Sequence, residues 1–196
     1  MKDNEDAEVS IRIIIPQERV PVLIGKGGSV RKEIEEKFKV KISIDSTTGN
    51  IVVKANQENA DALLKVQQVI TAIGRGFSPE NAFLLANDEY TLSIINLSEF
   101  GRTENSLRRI RGRIIGRKGK SRLLLEELTN TKIVVYGKTV GIIGPMDKVG
   151  LAEEAIRKLA EGMKHSTVFD WLYEQKRLEK MMSLDRALRK PYEEGL

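Results

Sequence analysis

The chain has 196 residues, of which 40% are hydrophobic and 31% charged, and its formal net charge is +5 at pH 7. That length suits one medium domain or two small ones with a hydrophobic core. The absence of cysteine excludes disulfides and thiolate catalysis, and the single histidine, His165, argues against a catalytic triad or a multi-histidine metal site. No apolar run approaches the roughly 20 residues that cross a bilayer, and the acidic, polar start does not resemble a signal peptide. We therefore expect a cytoplasmic protein that uses no metal or cofactor and binds no membrane.

In chain order, the first part of the sequence predicts a strand, two helices, two strands and a further helix. Residues 9–15 alternate, with Ile11, Ile13 and Ile15 on one face, which indicates a half-buried strand that Pro16 ends. The following elements are a short helix at 20–24, a helix at 29–38, strands at 41–44 and 51–54 around a turn at 46–50, and an amphipathic helix at 57–73. The core candidates of that last helix are Ala60, Leu63, Leu64, Val66 and Ile70.

The second part repeats this order after a short connection, in which Ser78 and Pro79 predict the cap and first residue of a short helix. The repeated elements are a strand at 91–97, a helix before Gly116, a helix at 121–128, strands at 133–136 and 140–143, and a helix at 148–161. A last helix is predicted at 168–190, and its packing candidates are Phe169, Leu172, Tyr173, Leu178, Met181 and Leu188. This helix either lies on the second repeat or offers a docking site to another protein.

The two parts are copies of one module. Residues 24–44 align without a gap on residues 115–135, at an offset of 91 (115 − 24). The matched pairs include Gly25 and Gly116, Gly28 and Gly119, Arg31 and Arg122, Glu35 and Glu126, and Ile42 and Ile133. We therefore divide the chain into a flexible tail at 1–7, a first module at 8–75, a linker helix at 76–89, a second module at 90–163 and a C-terminal helical extension at 164–196.

Positive charge is concentrated in one short segment of the second module. Residues 108–122 have eight basic side chains and no acidic one. They are Arg108, Arg109, Arg111, Arg113, Arg117, Lys118, Lys120 and Arg122. Such a focused basic patch predicts a polyanionic partner.

One interpretation of residues 114–128 is the phosphate-binding P-loop of a nucleotide hydrolase, because they contain Gly119, Lys120 and Ser121 in a row. That motif requires a further glycine at position 114, where this chain has Ile114. The matching segment of the first module has no Lys-Ser pair. The P-loop interpretation is therefore disfavoured, and we expect a protein without catalytic residues.

The pattern that both modules share is G-x-x-G between two helices. Glycine lets a nucleic-acid backbone approach closely, and the amides at the start of the following helix favour phosphate. Aliphatic side chains beside each turn, with Val30 among them, would form a groove for unstacked bases. The alternative is a structural joint that needs glycine only for its geometry. The predicted RNA-binding residues are Ile24, Gly25, Lys26, Gly27, Gly28, Arg31 and Ile42 in the first module, and Arg111, Arg113, Ile115, Gly116, Arg117, Lys118, Gly119, Lys120, Arg122 and Ile133 in the second.

An I-G-x-x-G turn inside a β-α-α-β-β-α module resembles the type I KH domain, whose loop holds about four single-stranded nucleotides. The resemblance implies an α+β fold of two tandem type I KH domains with a linker helix and a C-terminal helix. KH domains usually have a groove-lining isoleucine three residues after the loop, where this chain has Arg31 and Arg122. Each arginine either contacts RNA or packs its stem in the groove with a solvated head.

More narrowly, residues 72–97, the Arg-Gly-Arg-Ile-Ile-Gly run at 111–116 and the arginine-bearing tail resemble the pre-ribosomal RNA processing factors called "partner of Nob". The compact chain favours the archaeal branch of that family. The resemblance implies binding to the 3′ end of small-subunit ribosomal RNA, with the Nob endonuclease and the alpha subunit of translation initiation factor two as protein partners. A second function stays open, namely a protein-interaction scaffold that links RNA processing and translation initiation factors.

The two modules are expected to contribute unequally. The helix after the first loop contains Glu33, Glu35 and Glu36, which partly cancel its positive charge. The corresponding helix of the second module begins with Lys120, Ser121 and Arg122. The second module should therefore supply most of the affinity for phosphate.

Overall fold

The structure is a computed structural model that describes residues 8–193, with side chains described for residues 8–185. The predicted flexible tail at 1–7 and the side chain of Leu188 lie outside the described residues.

In the first module, helices cover one face of a three-stranded antiparallel sheet. Its elements are β1 (Glu8–Ile14), α1 (Val20–Ile24), α2 (Ser29–Phe38), β2 (Lys41–Asp45), β3 (Asn50–Asn56) and α3 (Ala62–Gly74). The strand order is β1-β3-β2, so the last strand lies in the middle, and Ile51 on β3 pairs with Ile13 and Ile44. The residues of β3 alternate between buried and more exposed positions, as expected of a sheet that has one covered face.

The long helix predicted at 57–73 is interrupted in its first turn. A 3-10 turn at Gln57–Asn59 comes first, and α3 begins only at Ala62. Leu63 is buried as predicted, whereas Leu64 is 67% exposed, because one residue turns about 100° around a helix and takes the side chain away from the sheet. The prediction that Leu64 belongs to the core is wrong. Val66 and Ile70 are buried as predicted.

The second module repeats the architecture of the first. After the linker helix α4 (Pro79–Ala82), its elements are β4 (Tyr90–Asn96), α5 (Glu104–Ile115), α6 (Lys120–Thr129), β5 (Lys132–Tyr136), β6 (Thr139–Pro145) and α7 (Met146–Glu161). The strand order β4-β6-β5 matches that of the first sheet. The predicted cap of α4 is confirmed, since the side chain of Ser78 accepts a hydrogen bond from the Asn81 amide. The α+β class and the duplicated module are therefore as expected.

The linker packs the two modules against each other. Phe77 is fully buried, and a Cβ added to Gly141 on β6 would lie only 2.6 Å from its ring. Ile143, also on β6, belongs to the hydrophobic core of the first module. Val140 and Ile142 face the helices of the second module instead. Strand β6 is thus buried on both faces, and the linker and the first module cover the outer one.

Helix α8 (His165–Glu193) follows the second module and leaves its surface partway along. Val168 and Leu172 are buried in the second core, which confirms that the helix begins by packing on that module. Farther along, Tyr173, Leu178 and Met181 are 52%, 43% and 61% exposed. These three packing candidates are therefore not covered by the second module, and for this part of the helix the docking alternative stays open.

Candidate nucleic-acid interface

The two glycine loops have the same backbone conformation. In the first loop (residues 25–28), Gly25 and Gly28 have φ angles of 73° and 81°; in the second (residues 116–119), Gly116 and Gly119 have 72° and 77°. A Cβ on Gly116 would lie 2.8 Å from a backbone nitrogen of the next helix, whereas a Cβ on Gly119 would meet nothing within 4 Å. The first glycine of the loop is thus needed for close packing, and the last leaves its backbone open to a ligand.

A helix begins immediately after each loop, at Ser29 in the first module and at Lys120 in the second. The N-cap residues of these helices are Gly28 and Gly119, and neither end receives a side-chain cap. The first amide of each helix donates instead to a carbonyl of its loop, Ser29 to that of Lys26 and Lys120 to that of Arg117. A helix start of this kind, with its positive dipole end, favours phosphate oxygens.

The second loop has more available positive charge than the first. Arg117, Lys118 and Lys120 are all exposed, and within the described part of the chain none of them is paired with an acidic group. The first loop has only Lys26 in a comparable position. Lys118 has φ 55°, the left-handed conformation that the first loop assigns to Gly27. A charged side chain thus replaces glycine at a strained position in the second loop.

The predicted arginine cluster is divided between two sides of α5. Arg111 donates to the carbonyl of Gly137 at 3.0 Å, in the turn between β5 and β6, and also pairs with Glu104. Arg113 donates to the carbonyls of Leu159 and Met163 at the end of α7. Two residues along a helix turn about 200°, so the two side chains leave in different directions. Arg113 was predicted to bind RNA, but its guanidinium already donates to these two backbone carbonyls.

Glutamates hold the two arginines that follow the loops. Arg31 donates to Glu35 at 3.2 Å, and Arg122 lies 3.7 Å from Glu126 and donates to the carbonyl of Ile133 at 3.1 Å. The side chain of Arg31 is exposed and that of Arg122 is half-buried, and both lie beside the edge strand of their sheet. Neither direct contact with RNA nor a packed stem with a solvated head describes these arginines fully, because the protein already holds each guanidinium beside the groove.

Glu35 and Glu126 also bind the edge strand directly. Each Oε1 accepts a hydrogen bond from a strand amide, that of Ile42 at 2.8 Å and that of Ile133 at 2.7 Å. The sequence alone predicts for Glu35 only a charge that weakens phosphate binding. The signal was present in the repeat, since an arginine and a glutamate four residues later recur in both modules.

The side chains of Ile42 and Ile133 do not line a groove. They are 2% and 0% exposed and belong to the two hydrophobic cores, because they lie on the inner face of each edge strand. Their prediction as base-contacting side chains is corrected accordingly. The aliphatic residues that remain partly exposed beside the loops are Ile24, Val30 and Ile115.

In each module, a side chain ties the segment before the glycine loop to the turn between the last two strands. Gln17 donates to the carbonyl of Thr47 at 3.0 Å in the first module, as Arg111 does to Gly137 in the second. The first turn is further ordered by Asp45, whose pKa is lowered to about 2 by hydrogen bonds from Thr47 and Thr48. In each module the turn between the last two strands is therefore fixed by a hydrogen bond to the segment that precedes the glycine loop.

The structure argues against the P-loop interpretation. A P-loop follows a strand, whereas the second loop follows helix α5, in which Ile114 is buried. No group of three or more His, Asp or Glu side chains in the described ranges could hold a metal ion. No helix among the described residues is long and apolar enough to cross a membrane.

Comparisons with known proteins match both modules. A model described as "KH domain" matches residues 10–68, and the model for the second KH domain of PNO1, described as "Eukaryotic type KH-domain (KH-domain type I)", matches residues 91–177.

Three similar proteins cover most of the chain. The KH domain-containing protein MJ0443 of Methanocaldococcus jannaschii is 41% identical over 172 residues, which are 86% of this chain and 75% of that protein. The pre-rRNA-processing protein PNO1 of Chaetomium thermophilum is 29% identical over 144 residues, 72% of this chain and 52% of that protein. The aDim2p chain in a crystal structure of an a/eIF2alpha-aDim2p-rRNA complex from Pyrococcus horikoshii OT3 is 44% identical, with a TM-score of 0.83 over 88% of this chain and 97% of that chain.

Proposed function

We propose that this chain, which belongs to the archaeal Dim2/PNO1-like family of RNA-binding proteins with two KH domains, binds the single-stranded 3′ end of small-subunit ribosomal RNA. The observation that best supports this proposal is the second loop, where three exposed cations with no acidic partner among the described residues surround a helix start that has no side-chain cap. The Pyrococcus relative, whose structure is that of a complex with rRNA, supports the same ligand class.

In this proposal the strand backbone lies on the second loop and its bases enter the adjoining groove. Phosphates would lie at the positive dipole end of α6 and form ion pairs with Arg117, Lys118 and Lys120. Bases would pack against Ile115 and meet Arg122, which Glu126 already positions at the strand edge. A single strand is required, because bases stacked in a duplex cannot turn into such a groove.

We assign the two KH domains to residues 8–75 and 90–163 and give them unequal roles. The second domain would supply most of the phosphate affinity. The first, with Lys26 as the exposed cation of its loop and with Glu33 and Glu36 nearby, would extend the contact with RNA. The protein would act without catalysis, holding the RNA end for the Nob endonuclease.

A second candidate function is a scaffold that joins RNA processing to the alpha subunit of translation initiation factor two. The observation that favours it is the outer part of α8, where Leu178, Met181, Met182 and Leu184 are exposed. The Pyrococcus complex, which also contains a/eIF2alpha, is consistent with both candidates. The two functions would use different surfaces and are separable by experiment.

The test is the affinity for a fluorescent single-stranded RNA with the sequence of the small-subunit rRNA 3′ end, measured at several salt concentrations. Gly119→Asp places a carboxylate in the loop where a Cβ meets no atom, although the φ of 77° strains any side chain there, so the fold of the variant is checked by circular dichroism. Gly116→Asp would in addition clash with the start of α6. We expect Gly119→Asp to weaken binding at least tenfold and the matched Gly28→Asp to weaken it less. Unchanged RNA affinity of a folded Gly119→Asp variant would contradict the proposal, and ATP hydrolysis that is lost with Lys120→Ala would restore the enzyme interpretation.

A further inference from the structure

A pocket of about 490 Å³ adjoins the second loop, and no residue of the edge strand β5 lines it. It is bounded by α5, the loop, the start of α6 and the start of α8. Arg113 lies on this side of α5, facing the end of α7, while Arg111 lies on the other side, facing the β5–β6 turn. The pocket is therefore separate from the groove in which bases are proposed to lie, and only the second loop connects the two.

The pocket combines an apolar floor with a basic rim. Leu124 and Phe169 supply apolar surface, and the Phe169 ring lies 6.2 Å from that of His165 at an angle of 34°. Arg109, Arg117 and Lys120 line the rim, and none of these three cations is paired with an acidic group in the described residues. A ligand that fits has a flat apolar part and a negative charge, which is the chemistry of a nucleotide.

Ser121 supplies an independent indication of a ligand. It lines the pocket with 7% of its surface exposed, and its Oγ is buried without a hydrogen-bond partner in the part of the chain that the structure describes. Leaving a buried hydroxyl unpaired is unfavourable, so a hydroxyl at this place needs a reason other than packing.

The first module shows that the fold does not require this hydroxyl. At the offset of 91, Ser121 corresponds to Val30, which packs against Gly25 as Ser121 packs against Gly116. Two other residues of the pocket also change character, since Lys120 corresponds to Ser29 and Leu124 to Glu33. The serine, the cation and the apolar floor thus occur together in the second module only.

We propose that this pocket binds one nucleotide of the RNA strand that lies beyond the base groove, after the strand has crossed the second loop. Its base packs against Leu124 and Phe169, and its phosphate pairs with the basic rim. The Ser121 Oγ is enclosed in this structure, so the side chain turns about its Cα–Cβ bond to reach a polar group of the nucleotide. RNA is favoured over an acidic peptide because Arg117 and Lys120 belong to both the loop and the pocket, so a strand on the loop continues directly into it. This inference rests on the proposed binding of RNA by the second loop.

The test measures dissociation constants for RNAs that are lengthened by single nucleotides, at either end, from a core of about four nucleotides that fills one KH groove. For the unmodified protein we expect one added nucleotide, at one end only, to strengthen binding roughly tenfold, the effect of one base on an aromatic ring. Ser121→Val, Phe169→Ala and Arg109→Gln should each remove most of this increment while they leave the affinity for the core RNA within about twofold.

A matched control is Arg108→Gln, which removes the same charge from the neighbouring position of α5, outside the pocket lining. It should retain the increment. If the core RNA binds in a manner that Gly119→Asp abolishes, but no added nucleotide gives an increment, or the increment survives in all three pocket variants, the pocket assignment is overturned alone. If no RNA of the series binds, the proposed function fails together with it. Because Ser121→Val copies the first module, it keeps the test valid even if Phe169→Ala does not fold.

Discussion

The phenol of Tyr136, at the end of β5, donates a 2.6 Å hydrogen bond to the carboxylate of Glu18, which lies 118 residues earlier in the first module. The adjacent Arg19 lies over the Tyr136 ring at 5.9 Å and donates to the carbonyls of Ile73 and Phe77. The segment that leads into the first loop is thereby connected to the edge strand of the second sheet. The two loops are held in one mutual orientation, which a continuous RNA strand would have to follow.

This contact should depend on pH at both extremes. The hydrogen bond to Glu18 raises the pKa of Tyr136 above its ordinary value of 10.0, so its contribution to stability is complete below that pH and is lost as pH rises through the raised value. The same bond lowers the pKa of Glu18 below 4.5, so its contribution is complete above that pH and is lost as pH falls through the lowered value. Ultraviolet titration of the unmodified protein against Tyr136→Phe isolates this phenol, whose pKa should move back toward 10.0 in Glu18→Gln. An ordinary pKa in the unmodified protein would show that the contact is absent in solution.

Phe77 should be essential for the packing of the two modules against each other. Its ring is fully buried against Gly141, and replacement by alanine leaves a cavity between the linker and the second sheet. We expect Phe77→Ala to lower the free energy of unfolding by about 3–5 kcal/mol in urea denaturation. Phe77→Leu, the conservative control, should cost less. If the alanine variant unfolds with unchanged stability, the linker does not join the modules, and the domains at 8–75 and 90–163 are independent.

Arg113 and Arg117 are expected to have opposite roles although only four residues separate them. Arg113 donates to the carbonyls of Leu159 and Met163 at the end of α7, whereas the described structure gives Arg117 no partner. Arg113→Gln should therefore lower the free energy of unfolding by about 2 kcal/mol with little change in the salt dependence of RNA binding. Arg117→Gln should leave stability within about 0.5 kcal/mol and reduce the slope of log affinity against log salt by about 0.7, the value for one phosphate of a single strand. Identical effects of the two variants on RNA binding would refute this division.

Replacement of Lys118 by glycine should change the free energy of unfolding and the affinity for RNA in opposite directions. Its φ of 55° is unfavourable for a residue with a Cβ, and the first loop has Gly27 at the matching position. Lys118→Gly should raise the free energy of unfolding by about 1 kcal/mol, since it removes that strain, and should weaken RNA binding, since it removes a cation. Thermal unfolding and RNA titration of the same preparation measure both. A gain in stability without any loss of affinity would mean that Lys118 does not contact phosphate.

Local sequence patterns were sufficient to predict the helices and strands, because each of these elements depends mainly on neighbouring residues along the chain. The alternation that predicts β1, the glycines that separate α1 from α2 and the Ser-Pro pair before α4 all have a local physical cause. The main error within an element, Leu64, arose because two adjacent leucines cannot both face the sheet and the sequence does not indicate which one does. Individual site residues are less predictable from the sequence, since a basic or aliphatic side chain near a loop has several possible partners.

The sequence by itself determined that the chain contains two copies of one βααββα module, each with a glycine loop, and that the basic side chains gather around the second. These properties follow from periodicity, repetition and composition, which do not depend on how distant segments meet. Only the tertiary structure decided that Ile42 and Ile133 belong to the cores, that Arg113 serves the end of α7 and that Glu35 and Glu126 hold the edge strands. It also decided that α8 closes a pocket behind the second loop. The physical reason is that burial and hydrogen bonding depend on which segments pack together, and those contacts join residues that are far apart in the chain.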